Sequence, residues 1–99
     1  MDEFLQNSNL DRSEDAKLLR SKILELVKEY SKISHPKRNF EESKPNVPVA
    51  GKVYDFNDLQ MLVSSSLDFW LTSGRFNDEF EKQLSKFLGL NFVITTNSG

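Results

Sequence analysis

The residues best suited to chemistry in this 99-residue chain are Ser98 and Gly99. They follow Asn91-Phe92-Val93-Ile94-Thr95-Thr96, which reads as a β-strand. A strand that opens into a Gly/Ser turn usually feeds a helix, and the first N–H groups of a helix lack intrahelical partners. Ser98 and Gly99 would then bring a hydroxyl and a backbone N–H to the positive helix end, a suitable seat for a phosphate. Ser-Gly dipeptides also mark ordinary turns, so the local chemistry leaves both readings open. His35 is the single histidine, stands in a polar joint, and reads as solvent-exposed without an obvious partner. With zero cysteines, disulfides, thiolate ligands and a Cys nucleophile are excluded within these residues. No nucleophile–base pair or metal cluster can be assembled around His35. The expectation is no catalytic residue and no metal ligand in this chain.

Composition narrows the class further. A net charge of −2 leaves no basic footprint for nucleic acid. The longest apolar runs, such as Phe69-Trp70-Leu71, are three residues long and far too short for a membrane span. Met1-Asp2-Glu3-Phe4 lacks the basic and apolar regions of a signal peptide, so a cytoplasmic location is the default. A hydrophobic share of 37% is low for a globular domain, yet eight Phe, two Tyr and one Trp argue against a wholly disordered chain. Most of these aromatics lie between Tyr54 and Phe92, so the second half reads as core-forming.

Four elements must position the candidate residues. Residues 1–10 read as a frayed polar lead. Asp11-Arg12-Ser13-Glu14 then has capping-box spacing, with Asp11 as the cap. Ala16, Leu19, Ile23, Leu26, Tyr30 and Ile33 follow at spacings of 3 and 4, a heptad seam of about two and a half repeats. Leu18 and Val27 widen it, which favours packing onto the protein's own surface over a dimerising coiled coil. Ser34-His35-Pro36 ends this helix, because the residue before a proline avoids the α region. Lys37 to Asn46 is a polar linker, and Val47 to Tyr54 an extended arm whose Pro48 suits an edge or strap. Asp55 or Asn57 caps a second helix with Leu59, Leu62, Val63, Ser66 and Trp70 on one face. Leu71 to Arg75 breaks it, with Gly74 free to take a positive φ. Asn77 is the expected N-cap of a third helix with a ridge of Phe76, Phe80, Leu84 and Phe87/Leu88. Gly89 stops that helix.

Phe92 and Ile94 would point to one face of the closing strand, and Val93 and Thr95 to the other, as in a strand buried on both sides. The chain offers no second convincing strand. Either the sheet lies in further residues or this segment is no strand, because an isolated strand cannot satisfy its backbone groups. The fold expected for the chain itself is mostly α-helical with one terminal β-strand, truncated from a longer α/β protein.

Several blocks, taken in order, carry a resemblance. They are Val47-Pro48-Val49-Ala50-Gly51-Lys52, Ser66-Leu67-Asp68-Phe69-Trp70-Leu71-Thr72-Ser73-Gly74-Arg75-Phe76, Phe80-Glu81-Lys82, Phe87-Leu88-Gly89-Leu90 and Thr95-Thr96-Asn97-Ser98-Gly99. Together they resemble the start of the DegT/DnrJ/StrS group, the fold-type I pyridoxal-phosphate (PLP) enzymes acting on nucleotide-linked sugars. Within that group the string around Trp70 is most similar to the CDP-4-dehydro-6-deoxyglucose 3-dehydratases. The resemblance covers residues 47–99 well and 11–34 loosely. It divides the chain into a helical extension and linker (1–46) and the start of a PLP-binding large domain (47–99).

The resemblance implies an α/β homodimer with active sites between subunits. Ser98 and Gly99 would open the loop holding the phosphate of PLP or of its amino form, PMP. Trp70, Thr72 and Gly74 would lie near the mouth of the nucleotide-sugar site; read without it, Trp70 is a core aromatic and Gly74 a turn residue. It further implies C3 dehydration of a 4-keto-6-deoxy sugar in deoxysugar and lipopolysaccharide O-antigen biosynthesis, a [2Fe-2S] centre and a reductase partner. The catalytic Lys or His and the cluster ligands would fall outside these residues, leaving the 99-mer inactive alone. A sugar-nucleotide aminotransferase is the neighbouring alternative. A non-catalytic module that binds a partner helix through the Ala16–Ile33 seam is the alternative from another class.

Overall fold

The computed structural model describes residues 2–8, 10–37 and 49–99. Its helices are α1 (Asp2–Gln6), α2 (Glu14–Ser34), α3 (Phe56–Asp68) and α4 (Arg75–Leu88). They fall into two units, Met1–Asp68 and Phe69–Gly99. The linker expected from Lys37 to Asn46 lies outside the described residues except for Lys37, as do Val47 and Pro48 of the expected arm. Val49 to Asp55 has no helix or strand, and Val49 and Val53 are fully exposed.

In the first unit α2 packs along α3, and α1 packs on both. The start of α2 differs from the capping-box expectation. Ser13, in extended conformation, is the N-cap and its hydroxyl accepts from the Ala16 N–H at 3.1 Å. Glu14 and Asp15 fill the first turn, where the helix dipole favours acids. Asp11 lies outside the helix and reaches a different partner, Arg20.

That partner is a charged residue next to the apolar seam, yet it lies in the interior. Arg20 is 2% exposed, and its guanidinium makes five contacts. Nε donates to Asp11 Oδ2 at 2.6 Å and Nη2 to Asp11 Oδ1 at 3.2 Å. Nη2 also donates to Asp68 Oδ1 at 2.8 Å, while Nη1 donates to the Ser64 carbonyl and hydroxyl, both at 3.0 Å. The Ser64 hydroxyl donates onward to the Leu5 carbonyl of α1 at 2.6 Å. Gln60 Nε2 donates to the Leu24 carbonyl at 2.8 Å. Burial alone would lower the Arg20 pKa; the hydrogen bond and charge of Asp11, with the charge of Asp68, outweigh it and hold the pKa above its usual value.

The buried stripe of α2 is Arg20, Leu24 and Ser31, one position round from the apolar seam. Leu19, Leu26, Tyr30 and Ile33 are each more than half exposed. The seam therefore does not dock on the described part of this unit, because α1 and α3 occupy the neighbouring strip. The expected frayed lead is also corrected. Residues 2–6 form α1, whose Leu5 is buried beside Leu24 as the apolar core. Leu5 folds the lead down because burying one such side chain is worth about 1.5–3 kcal/mol.

α3 starts at its expected cap. Asp55 accepts from the Asn57 N–H at 2.8 Å and the Asp58 N–H at 3.4 Å, and Asp58 returns a bond to the Asp55 N–H at 2.9 Å. This reciprocal pairing is a capping box with Asp in the Glu position. In the second unit α4 starts two residues before the expected Asn77 cap. Gly74 is the N-cap, without a side-chain bond, and the Asp78 N–H donates to its carbonyl at 3.0 Å. The C-terminus is as expected: Gly89 takes φ +67°, and the Leu90 N–H closes on the Ser85 carbonyl at 2.9 Å.

The expected terminal strand does not form: residues 92–96 have no helix or strand, and the described residues contain no strand to pair with them. Thr95 anchors the segment instead. The Thr95 N–H donates to Glu81 Oε2 at 2.6 Å and its hydroxyl to Asn77 Oδ1 at 2.6 Å. Both α4 side chains act as acceptors, Glu81 taking the one backbone N–H that a neighbouring strand's carbonyl would otherwise hold.

Two outcomes test this account. Arg20→Ala leaves Asp11 and Asp68 facing each other in the interior, and should cost about 3–5 kcal/mol by urea unfolding followed by circular dichroism. Replacing Arg20, Asp11 and Asp68 together by Met, Leu and Leu should recover most of that loss. Asp55 has its pKa lowered, first by the Asn57 side-chain amide and then by the N–H groups of Asn57 and Asp58 and the charge of Lys37. A depressed folded-state pKa means the cap is fully effective above the ordinary Asp value of about 3.9 and lost as pH falls through the folded value. Amide shifts of Asn57 and Asp58 should follow that acid titration and be flat in Asp55→Ala.

Candidate functional site

The second unit holds all five residues singled out for binding. Its entry turn is built by Phe69, whose φ of +49° places a bulky residue in the left-handed region. The chain therefore leaves α3 at Asp68, earlier than the Leu71–Arg75 break expected from the glycine. Gly74, expected to supply the positive φ, is instead extended at φ −152°, ψ −150°.

The need for glycine there is one of space. A Cβ on Gly74 would stand 2.9 Å from Trp70 Cδ1. The Trp70 indole lies against this backbone, and its Nε1 donates to the Ser73 carbonyl at 3.0 Å. Trp70 is 60% exposed, so it is neither on the α3 face nor a core aromatic. Thr72 is exposed in the same turn. Trp70, Thr72 and Gly74 thus share one tight turn at the start of α4, with an aromatic face and a hydroxyl open to solvent. That is chemistry suited to contact with a sugar ring or another polar ligand.

Ser98 and Gly99 lie in the segment that Thr95 ties to Asn77 and Glu81. Both are exposed, and the Thr96 hydroxyl donates to the Ser98 carbonyl at 3.1 Å. A Cβ on Gly99 would meet nothing within 4 Å. The Ser98 hydroxyl and the Gly99 N–H are the donor types a phosphate requires. They stand in the open and do not by themselves form a cradle, so the fit to a PLP phosphate is one of donor chemistry alone.

A third cluster lies in the first unit and corrects the reading of His35 as partnerless. His35 is exposed and caps α2, its N–H donating to the Ser31 carbonyl at 2.8 Å. Its Nδ1 lies 3.3 Å from the Tyr54 hydroxyl, and its ring meets those of Tyr54 and Tyr30 edge-on, centroids 5.6 and 6.1 Å apart. Tyr30 was reachable from sequence, standing in the last turns of the helix that His35 caps. Tyr54 was not, because the intervening linker hides the approach. The cluster is a structural clasp between the end of α2 and the arm. Among the described residues no group of three or more His, Cys, Asp or Glu could hold a metal ion. No described helix is long and apolar enough to cross a membrane.

Comparison with known proteins adds two findings. Residues 53–99 match the sequence model of the DegT/DnrJ/EryC1/StrS aminotransferase family. The chain is also similar to the lipopolysaccharide biosynthesis protein RfbH of Salmonella typhimurium, 46% identical over 81 residues. That match covers 82% of this chain and 18% of RfbH, so the chain spans less than a fifth of its relative's length. No solved structure matches the chain.

The Trp70–Gly74 packing gives a direct test. Gly74→Ala should displace the indole and break its bond to Ser73, read as stronger acrylamide quenching and a red shift of the lone tryptophan's emission. The α4 helical signal should persist, because an extended backbone at Gly74 is open to any L-residue.

Proposed function

We propose that this chain is the N-terminal part of a PLP- or PMP-dependent enzyme of the DegT/DnrJ/EryC1/StrS family, acting on a nucleotide-linked sugar in lipopolysaccharide biosynthesis. One observation carries the reading. The similarity to RfbH is longer than the 53–99 family segment, so it extends upstream into α2, which the family match does not include. A shared catalytic fold and a shared extension together point to the same branch of the family.

In this reading the whole enzyme is a cytoplasmic α/β homodimer of fold type I, with residues 1–46 as extension and linker and the large domain starting at 47. Ser98 and Gly99 donate to the cofactor phosphate, and the further donors of that cradle belong to the rest of the enzyme. Trp70, Thr72 and Gly74 shape the mouth of the sugar site, the indole offering a flat face and Thr72 a hydroxyl. When bound, the cofactor supplies the electron sink for breaking the C3–O bond of a 4-keto-6-deoxy sugar. These residues bind and orient; the proton-transfer group, and a [2Fe-2S] centre with its reductase, lie with the rest of the enzyme. The family match also supports a second reading, transfer of an amino group to the sugar in place of C3 dehydration.

The test is an assay of the whole enzyme, isolated from its native cells, on a CDP-4-keto-6-deoxyhexose. Loss of the C3 hydroxyl dependent on PMP supports dehydration, and amino transfer from glutamate with PLP selects the second reading. Neither product, or no cofactor retained, overturns the proposal. In the same enzyme Ser98→Ala should weaken cofactor retention by about tenfold, the loss of one hydrogen bond to a charged group.

A further inference from the structure

Residues 92–96 have no helix or strand of their own to set their course. Two side chains of α4 hold them. Asn77 and Glu81 stand four residues apart on one face of the helix, and both reach Thr95. Asn77 Oδ1 accepts from the Thr95 hydroxyl and Glu81 Oε2 from the Thr95 N–H, each at 2.6 Å. We propose, on the reading that Ser98 and Gly99 donate to the cofactor phosphate, that Asn77 and Glu81 are positioning residues for that phosphate, acting through Thr95.

The geometry favours such a role for three reasons. First, Thr95 is gripped by its backbone and its side chain at once, which fixes its orientation on α4 three residues before Ser98. Both of its donors are taken there, and the Thr96 hydroxyl is taken by the Ser98 carbonyl at 3.1 Å. The Ser98 hydroxyl and the Gly99 N–H then stand as exposed donors at the end of the segment. Second, α4 is a firm support. It is capped by Gly74 at its start and closed at its end by Gly89 in the left-handed conformation, with the Leu90 N–H on the Ser85 carbonyl. Donors held from a helix keep their geometry better than donors on an unsupported loop. Third, Asn77 is not used as a cap. With the helix starting at Gly74, its side chain turns to Thr95.

Charge separates this role from direct binding. A carboxylate at Glu81 repels a phosphate, so Glu81 is no ligand of the cofactor. It acts at one remove, as an acceptor for the backbone that carries the ligands.

The experiment uses the whole enzyme, freed of cofactor and titrated with PMP and with pyridoxamine, the same ring without the phosphate. Asn77→Ala, Glu81→Ala and Thr95→Val should each weaken PMP binding about fivefold, the worth of one hydrogen bond, and leave pyridoxamine binding as it is. The phosphorus NMR resonance of bound PMP should move in the same variants. Asn77→Asp and Glu81→Gln keep an acceptor oxygen and should bind PMP as the parent does. Asn77→Ala combined with Thr95→Val should bind no more weakly than either alone, since both remove one bond. Gln83→Ala, which breaks a bond to Glu79 on the same helix, should change neither ligand. Circular dichroism checks the fold; should Glu81→Ala lose its helices, Thr95→Val, which keeps the side-chain shape, decides. PMP binding unchanged in Asn77→Ala, Glu81→Ala and Thr95→Val while Ser98→Ala weakens it would overturn the proposal and leave the reading of Ser98 standing. Equal loss of PMP and pyridoxamine would make the anchor a general support of the fold and overturn it as well. Ser98→Ala without effect would overturn the reading of the phosphate loop and the positioning role with it.

Discussion

One buried guanidinium holds the first unit together. Arg20 ties the segment before α2 through Asp11, the end of α3 through Asp68 and the middle of α3 through Ser64, which in turn holds α1 through the Leu5 carbonyl. The cluster binds one cation between two carboxylates, so it is stable only with every member present; removing the cation exposes two like charges to each other. The apolar part of this core is small, with Leu5 and Leu24 as its buried hydrophobic residues among those described. Orientation of the helices therefore rests more on directional bonds than on bulk packing. A hydrophobic core tolerates small rotations of a helix, whereas five donors aimed at fixed acceptors do not.

The same arrangement explains what sequence reading could and could not see. α2, the Asp55 cap of α3 and the Gly89 stop of α4 were legible because each depends on neighbours within four residues. The buried stripe of α2 was not. Heptad spacing identifies an apolar seam but not whether that seam faces the protein's own helices, and an Arg four residues before a Leu reads as solvated surface. Only the approach of Ser64 and Asp68, from 44 and 48 residues away, makes Arg20 an interior residue. The turn before α4 failed for a related reason. Gly74 advertised a positive φ, but Phe69 took it, and the glycine serves as floor for Trp70.

The closing segment shows the difference between a pattern and its partner. Phe92 to Thr96 has the side-chain alternation of a two-sided strand, yet a strand exists only as a pair. With Asn77 and Glu81 holding Thr95, the segment is anchored to α4 while Ser98 and Gly99 stay open. Such an anchor sets donor groups near a helix without enclosing them.

The long reach of the Arg20 cluster also bears on how the chain is made. α2 is complete when Ser34 has been synthesised, but its central cation waits for Ser64 and Asp68. During synthesis from the N-terminus, Arg20 can hold only Asp11 until α3 emerges. Until then α1 has no Ser64 hydroxyl for its Leu5 carbonyl. The Arg20 cluster can therefore close only after the whole of α3 has been made.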